Sequence, residues 1–482
     1  MKFKMKAIAA ACACVFASQA YAVAPTPAQA AASTVKLFVS GSSALQSTLG
    51  QIANGLFTAG TVSVFFDGTA TTASGKNYRA YAGTFSAAAG ATLSGKTGVI
   101  YETGVGGSIN GVVPVALATT VGKIDLTTCG AAAVGTDTIT TAPLWSCTGS
   151  VLSVPDAGVS DVEPALFSGI NVPAGGTAAS PAVVAALTTT SSLAQPMGII
   201  VTPNTAITNL TKAQVVGLMG GLSTDWSWVD AAYTSAPVVV CRRVAGSGTQ
   251  AAINASFFGF PCSSAQQNPA TAQVLANGGL GGGNYMVIEN SSSGALAACM
   301  TAAQQGTAAG YTINIANGTI AAVAADATHV VLPANSRAIG LMGVDRPAAT
   351  VQNAGINGYG AAKLPELYNF ISINGTAPTV VNASTGAYDV VVNNAFNKRA
   401  GTVAGIAPLA GDALTFFNAM VAKSGDKLIL GTTKVPAIPG VAALADPIAL
   451  NYDPTLNADG TLTNPVMRVS KANTCQPAVQ VQ

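Results

Sequence analysis

An apolar run that breaks at a turn of glycines and hydroxyl residues and then enters a helix recurs along this chain, and it restricts the fold more than any other feature. The fullest copy passes from Pro237–Val240 through Cys241-Arg242-Arg243-Val244-Ala245-Gly246-Ser247-Gly248-Thr249-Gln250 into Ala251–Phe258. Val35–Val39 leads in the same way through Ser40-Gly41-Ser42-Ser43-Ala44 into a helical pattern with Leu45, Leu49, Ile52 and Leu56 on one face. A third copy runs from Tyr101 through Gly104, Gly106, Gly107 and Ser108 to Val112. Further strands are expected at Val62–Phe66, Gly98–Tyr101, Pro196–Val201 and Ala338–Met342. Helices are expected at Leu210–Met219 and Leu409–Lys423, and through Cys299 after Glu289-Asn290-Ser291-Ser292-Ser293. Strands alternating with helices predict an α/β protein.

Such turns carry a definite chemistry. A helix N-terminus presents unpaired N–H groups and a partial positive charge, so an anion is stabilised there without an excess of basic residues. Gly246 and Gly248 let the backbone approach a ligand, Ser247 and Thr249 add hydroxyl donors, and Arg243 adds a planar fork of N–H groups. Glycine makes up 52 of the 482 residues, well above the usual ~7%, so these turns gain meaning in combination and in order. One combination fails that test: Gly90-Ala91-Thr92-Leu93-Ser94-Gly95-Lys96-Thr97 satisfies a nucleotide phosphate-loop pattern, but it precedes the strand-like Val99-Ile100-Tyr101 instead of following a strand and opening a helix.

The first 22 residues read as a cleavable signal. Lys2, Lys4 and Lys6 precede an apolar core at Ala7–Ala17 and the small-x-small site Ala20-Tyr21-Ala22. Cys12 and Cys14 lie in that core without a leucine-led lipobox, which argues against a lipid anchor. No later apolar run has the ~20 residues that a membrane helix needs, so a periplasmic or secreted protein without membrane insertion is expected. Loss of the three signal lysines leaves 18 basic residues from 21 against 19 acidic ones, and the formal charge moves from +2 to −1. A basic surface for nucleic acid is thereby unsupported. Charged residues are only 8% of the chain against a hydrophobic 49%, too apolar for intrinsic disorder.

Of the eight cysteines, six follow the signal, an even number that suggests disulfides in an exported chain. The expected pairs are Cys129–Cys147 and Cys241–Cys262, which close short local loops, and Cys299–Cys475, which remains. No Cys-x-x-Cys occurs and His329 is the only histidine, so neither a metal nor a cofactor is expected. A hydrolase with Ser247 or Ser43 as nucleophile would have His329 as its sole imidazole and lacks a correctly placed Gly-x-Ser-x-Gly elbow.

Taken in order, these turns resemble the motifs of the phosphate-binding proteins of bacterial ABC importers. Val39–Ala44 is similar to that family's N-terminal Gly-x-Gly-like turn, with Ser43 and Ala44 as the matching ligand positions. Gly106-Gly107-Ser108 resembles its Ser-Gly-Gly-Gly-like turn, and Gly158-Val159-Ser160-Asp161 its Gly-Ala-Ser-Asp turn. Arg243-Val244-Ala245-Gly246-Ser247-Gly248-Thr249 resembles its Arg-x-Asp-Gly-Ser-Gly-Thr. The resemblance implies a two-lobed periplasmic binding protein fold of the second type, with mixed sheets flanked by helices and loop insertions. One lobe would span residues 35–197 plus 344–482 and the other 198–343, after the signal at 1–22 and a flexible leader at 23–34. It further implies a non-catalytic site for inorganic phosphate or a similar oxyanion, formed by Ser43, Ala44, Gly107, Ser108, Asp161, Arg243, Ser247, Gly248 and Thr249, with an ABC permease as candidate partner. Asp161 would accept the proton of monohydrogen phosphate, which fully ionised sulfate lacks. The chain departs from the pattern at Ala245, where the family commonly has an acid, and in its extra low-charge segments. The Ala/Gly/Thr-rich composition also suits an extracellular structural or adhesion protein on the same two-lobed fold.

Overall fold

A computed structural model of the chain describes residues 23–68, 77–137, 140–233, 236–264, 269, 285–305, 336–345 and 367–424, with short pieces at 312–314, 320–321, 329–331, 442–443, 469–470, 474–475 and 479–480. The expected signal at 1–22 lies outside the described residues, as does Gly278-Gly279-Leu280-Gly281-Gly282-Gly283, a run that reads from the sequence as a glycine-rich loop.

The principal element is a fourteen-stranded mixed sheet. Its strands, in chain order, are β1 (Val35–Gly41), β2 (Ser63–Asp67), β3 (Tyr78–Thr84), β4 (Thr97–Thr103), β5 (Gly135–Thr136), β6 (Pro143–Cys147), β7 (Ala157–Ser160), β8 (Leu187–Val201), β9 (Val238–Arg243), β10 (Met286–Asn290), β11 (Arg337–Gly343) and β12 (Val391–Arg399). Across the sheet they lie in the order β10-β9-β11-β8-β12-β7-β1-β4-β3-β2-β6-β5, and the short segments Asn369–Phe370 and Ala442–Ala443 pair with β8. The pairs β1–β4, β1–β7, β9–β10 and β9–β11 are parallel. The two halves meet through the antiparallel β8–β12 ladder, which runs from Leu187↔Arg399 to Pro196↔Val391 with a register shift between Ser191 and Leu193.

Five helices of eight residues or more occur among the described residues: α1 (Gln46–Leu56), α2 (Lys212–Met219), α3 (Gly248–Ser256), α4 (Ser293–Gln305) and α5 (Gly411–Ser424). They cover the sheet on both faces, and the period-two alternation of the strands decides which residue faces which layer. In β1, Leu37 and Val39 pack with Leu49 and Ile52 of α1 and Phe416 and Met420 of α5, whereas Phe38 points to the opposite layer with Phe65, Tyr101 and Trp145. In β9, Val238 and Val240 pack with Leu218 of α2 and Ala251 and Ala252 of α3, whereas Val239 and Cys241 pack with Leu296 and Met300 of α4. The helix α2 starts at a capping box, since Thr211 accepts from the Gln214 N–H and the Gln214 side chain returns to the Thr211 N–H.

Cys129–Cys147 forms as expected, but the other two pairs are exchanged: the bridges are Cys241–Cys299 and Cys262–Cys475, not Cys241–Cys262 and Cys299–Cys475. Strand direction is the reason. Cys241 points into the layer that holds Cys299 of α4, with 6.0 Å between Cα atoms, while Cys262 lies beyond the end of α3. Fifty-eight residues of separation proved no obstacle where a β-α-β layer brings the two side chains together.

Gly90–Lys96 lies in turns, and Thr97 starts β4. The phosphate-loop pattern there opens no helix. His329 begins a short strand, His329–Val331, paired with Thr312–Asn314.

Candidate functional site

The recurring turns converge at the ends of β1, β4, β7 and β9. At the end of β1, Gly41 has φ +127°, and a Cβ there would lie 1.9 Å from the Val159 carbonyl oxygen. Only glycine allows β1 and β7 to come this close. The chain then places Ser42 so that its hydroxyl donates to Asp161 Oδ1 and accepts the N–H groups of Ala44 and Leu45 at 3.1 and 3.2 Å. Ser43 faces the other way and accepts from Arg243 Nη2 at 3.1 Å. Ser43 and Ala44 are both half-buried.

From the end of β4, Gly106 and Gly107 turn with φ +75° and +77°. Ser108 opens a single helical turn, and its hydroxyl accepts the Asp161 N–H at 3.2 Å. Asp161 follows β7. Its Oδ2 accepts from the Thr249 hydroxyl at 3.1 Å, and its backbone carbonyl lies 3.5 Å from Asn394 Nδ2 of β12. The carboxyl is 1% exposed. Burial pushes its pKa above the usual carboxylate range, opposed by the Ser42 hydrogen bond, the charge of Arg243 and the hydrogen bonds of Thr249 and Ser108.

The facing wall is the turn between β9 and α3. Gly246, at φ +90°, donates its N–H to the Asn171 carbonyl and accepts from the Ile109 N–H, both at 2.9 Å. Ser247 caps α3 by accepting the Gln250 N–H at 3.4 Å. Gly248 is so close to the opposite wall that a Cβ would lie 2.6 Å from Ser108 Oγ and 2.7 Å from Asp161 Cβ. Gly107 is equally tight, with 2.9 Å from a Cβ to the Gly246 carbonyl oxygen. Arg243, 1% exposed, donates from Nε to the Asn290 carbonyl, from Nη1 to Ser293 Oγ and from Nη2 to the Ser291 carbonyl, at 3.1, 3.1 and 2.9 Å.

All nine expected positions therefore fall on two walls that touch: Ser43, Ala44, Gly107, Ser108 and Asp161 on one, Arg243, Ser247, Gly248 and Thr249 on the other. Sequence reasoning missed Ser42, one residue before the position it preferred. It also missed the turn from β10 into α4, where Asn290, Ser291 and Ser293 hold the guanidinium. The signal for that turn was present, since Glu289-Asn290-Ser291-Ser292-Ser293 has the same strand, hydroxyl turn and helix order without the glycines. With Ala245 in place of an acid, these oxygen partners of Arg243 are neutral, and the charge of Arg243 acts on Asp161 of the other wall. Chemically the arrangement offers a fixed cation, several hydroxyls, the N-terminus of a nine-residue helix and one buried acceptor carboxylate.

No family model and no curated protein matches the chain. Among solved structures, it is similar to a putative phosphate ABC transporter substrate-binding protein with bound phosphate from Clostridium perfringens, at 12% identity and TM-score 0.42, over 82% of this chain and 96% of that one. An ABC-type phosphate transport receptor from Vibrio cholerae matches at 15% identity and TM-score 0.32, over 57% of this chain and 78% of that one. PstS from Borrelia burgdorferi matches at 12% identity and TM-score 0.29, over 57% and 77%. At these values the likeness assigns neither ligand nor partner.

Proposed function

We propose that this chain is an exported, non-catalytic binding protein that holds phosphate or a related tetrahedral oxyanion between two lobes, residues 35–197 plus 344–482 and residues 198–343. The observation that carries this reading is a buried Arg243 and a buried Asp161 on facing walls, each hydrogen-bonded to a hydroxyl of the other wall, Ser43 and Thr249, among the further hydroxyls of Ser42, Ser108 and Ser247. A dehydrated oxyanion needs many convergent donors, and hydroxyls, backbone N–H groups and a guanidinium supply them. Asp161 accepts one hydroxyl at each oxygen, and each oxygen keeps a lone pair for a ligand proton. A ligand without a proton would set two acceptors against each other, which disfavours sulfate. An ABC permease is the partner such a protein would serve.

The test is titration calorimetry on protein unfolded and refolded to strip bound anion. Heat with phosphate and none with sulfate is expected; no heat with either rejects the reading. The direct bond between the Ile109 N–H and the Gly246 carbonyl favours a second reading, an extracellular structural protein whose two halves stay together. Surface assembly that persists in an Arg243→Ala variant would select it.

A further inference from the structure

The two walls are joined a second time, through Glu163 and the dipeptide Thr474-Cys475. Glu163 stands two positions after Asp161. Its Oε1 accepts the Thr474 N–H at 2.7 Å and its Oε2 accepts the Thr474 hydroxyl at 2.6 Å. The next residue, Cys475, is bridged to Cys262, six residues beyond the end of α3, across 213 positions of sequence. One dipeptide thus ties the wall that carries Asp161 to the wall that carries Arg243 and Thr249.

Between this tie and the anion site the walls interlock. Asn254 of α3 donates to Asn171 Oδ1 at 2.7 Å, and Gly246 donates to the Asn171 carbonyl. Gly169 sits so close to Phe260 that a Cβ would lie 2.6 Å from the ring. Parting the walls would break the Asn171, Gly246 and Ile109 bonds first, and would still be restrained by a carboxylate with two charge-assisted hydrogen bonds to a residue next to a disulfide.

We propose that Glu163, Thr474 and the Cys262–Cys475 bridge form a latch that holds the two walls together and slows opening of the cleft. The opening step is independent of which ligand the cleft takes; only the consequence for anion release rests on the function proposed above. Thr474 is 8% exposed and Glu163 half-buried, so their bonds are partly shielded from water.

Two variants test the latch separately: Thr474→Val, which keeps the disulfide and removes the hydroxyl bond, and Cys262→Ser/Cys475→Ser, which removes the covalent link. Hydrogen exchange is read at the Ile109 and Gly246 amides in phosphate-free buffer. Exchange there about tenfold faster than in the parent protein is expected from the loss of a hydrogen bond to a charged group, with the amides of β1 and β4 unchanged. Should the cysteine variant fail to fold, Thr474→Val alone decides. Unchanged exchange at both amides in Thr474→Val overturns the proposal. A protein that gives no heat with phosphate but shows faster exchange at these amides keeps the latch and loses the anion reading.

Discussion

Glu102 is an acid outside the proposed anion site. It lies in β4 opposite Arg79 of β3, is 2% exposed, and neither of its carboxyl oxygens has a hydrogen-bond partner among the described residues. Burial pushes its pKa up to about 8, and the charge of Arg79 opposes the shift. Tyr81, which accepts from Arg79 at 3.3 Å, is pushed up to about 12, again chiefly by burial, and Asp137 adds a further negative charge nearby. A carboxyl whose pKa is raised by folding supports the fold fully while both states are protonated, below its unfolded value. That support fades as pH rises toward the folded value near 8. Glu102→Gln is therefore expected to match the parent near pH 4 and to exceed it by a few kcal/mol near pH 9. Urea unfolding at the two pH values measures the difference, and an equal gain at both would place its origin in packing.

At the scale of elements, the strand, turn and helix units were the most legible part of the sequence. Val35–Gly41 and Gln46–Leu56 stand where an apolar run and a spacing of three and four residues put them. Gly248 shows what the turn adds. Alanine at the first position of α3 would favour the isolated helix by up to ~1 kcal/mol, but its Cβ would strike Ser108 and Asp161. Gly248→Ala is expected to lower stability by about 1–3 kcal/mol and to weaken the proposed phosphate binding about tenfold or more, read by melting and titration calorimetry on the same sample. The β8–β12 ladder was less legible, because both strands are polar where sequence reasoning looks for alternation. Leu187-Thr188-Thr189-Thr190-Ser191-Ser192 carries hydroxyls, so only its end at 196–201 was expected. β12 was not anticipated at all, since it holds Asn393, Asn394 and Asn397. The last two are buried because tertiary partners, the Asp161 and Gly111 carbonyls, take their amide donors. Such partners are invisible to a local pattern.

For the whole molecule, the alternation of strands and helices carried the α/β class, whereas the disulfide connectivity depended on side-chain direction across a layer and was two-thirds misread for that reason. Cys241–Cys299 fastens β9, the strand that delivers Arg243, to α4, the helix whose first residue holds its guanidinium. Cys241→Ala/Cys299→Ala is expected to lower stability by about 2–4 kcal/mol, and urea unfolding under non-reducing conditions checks it.

The ladder that joins the halves also bears on how the chain is made. β12 lies between β7 and β8, so each half waits for residues 391–399 before its inner edge is paired. A ribosome has then already released most of the strands on both sides, with two unpaired edges facing outward. Pairings this distant in sequence form slowly. Premature termination between residues 343 and 391 would yield not one finished half but two open-edged sheets, each able to pair with another chain.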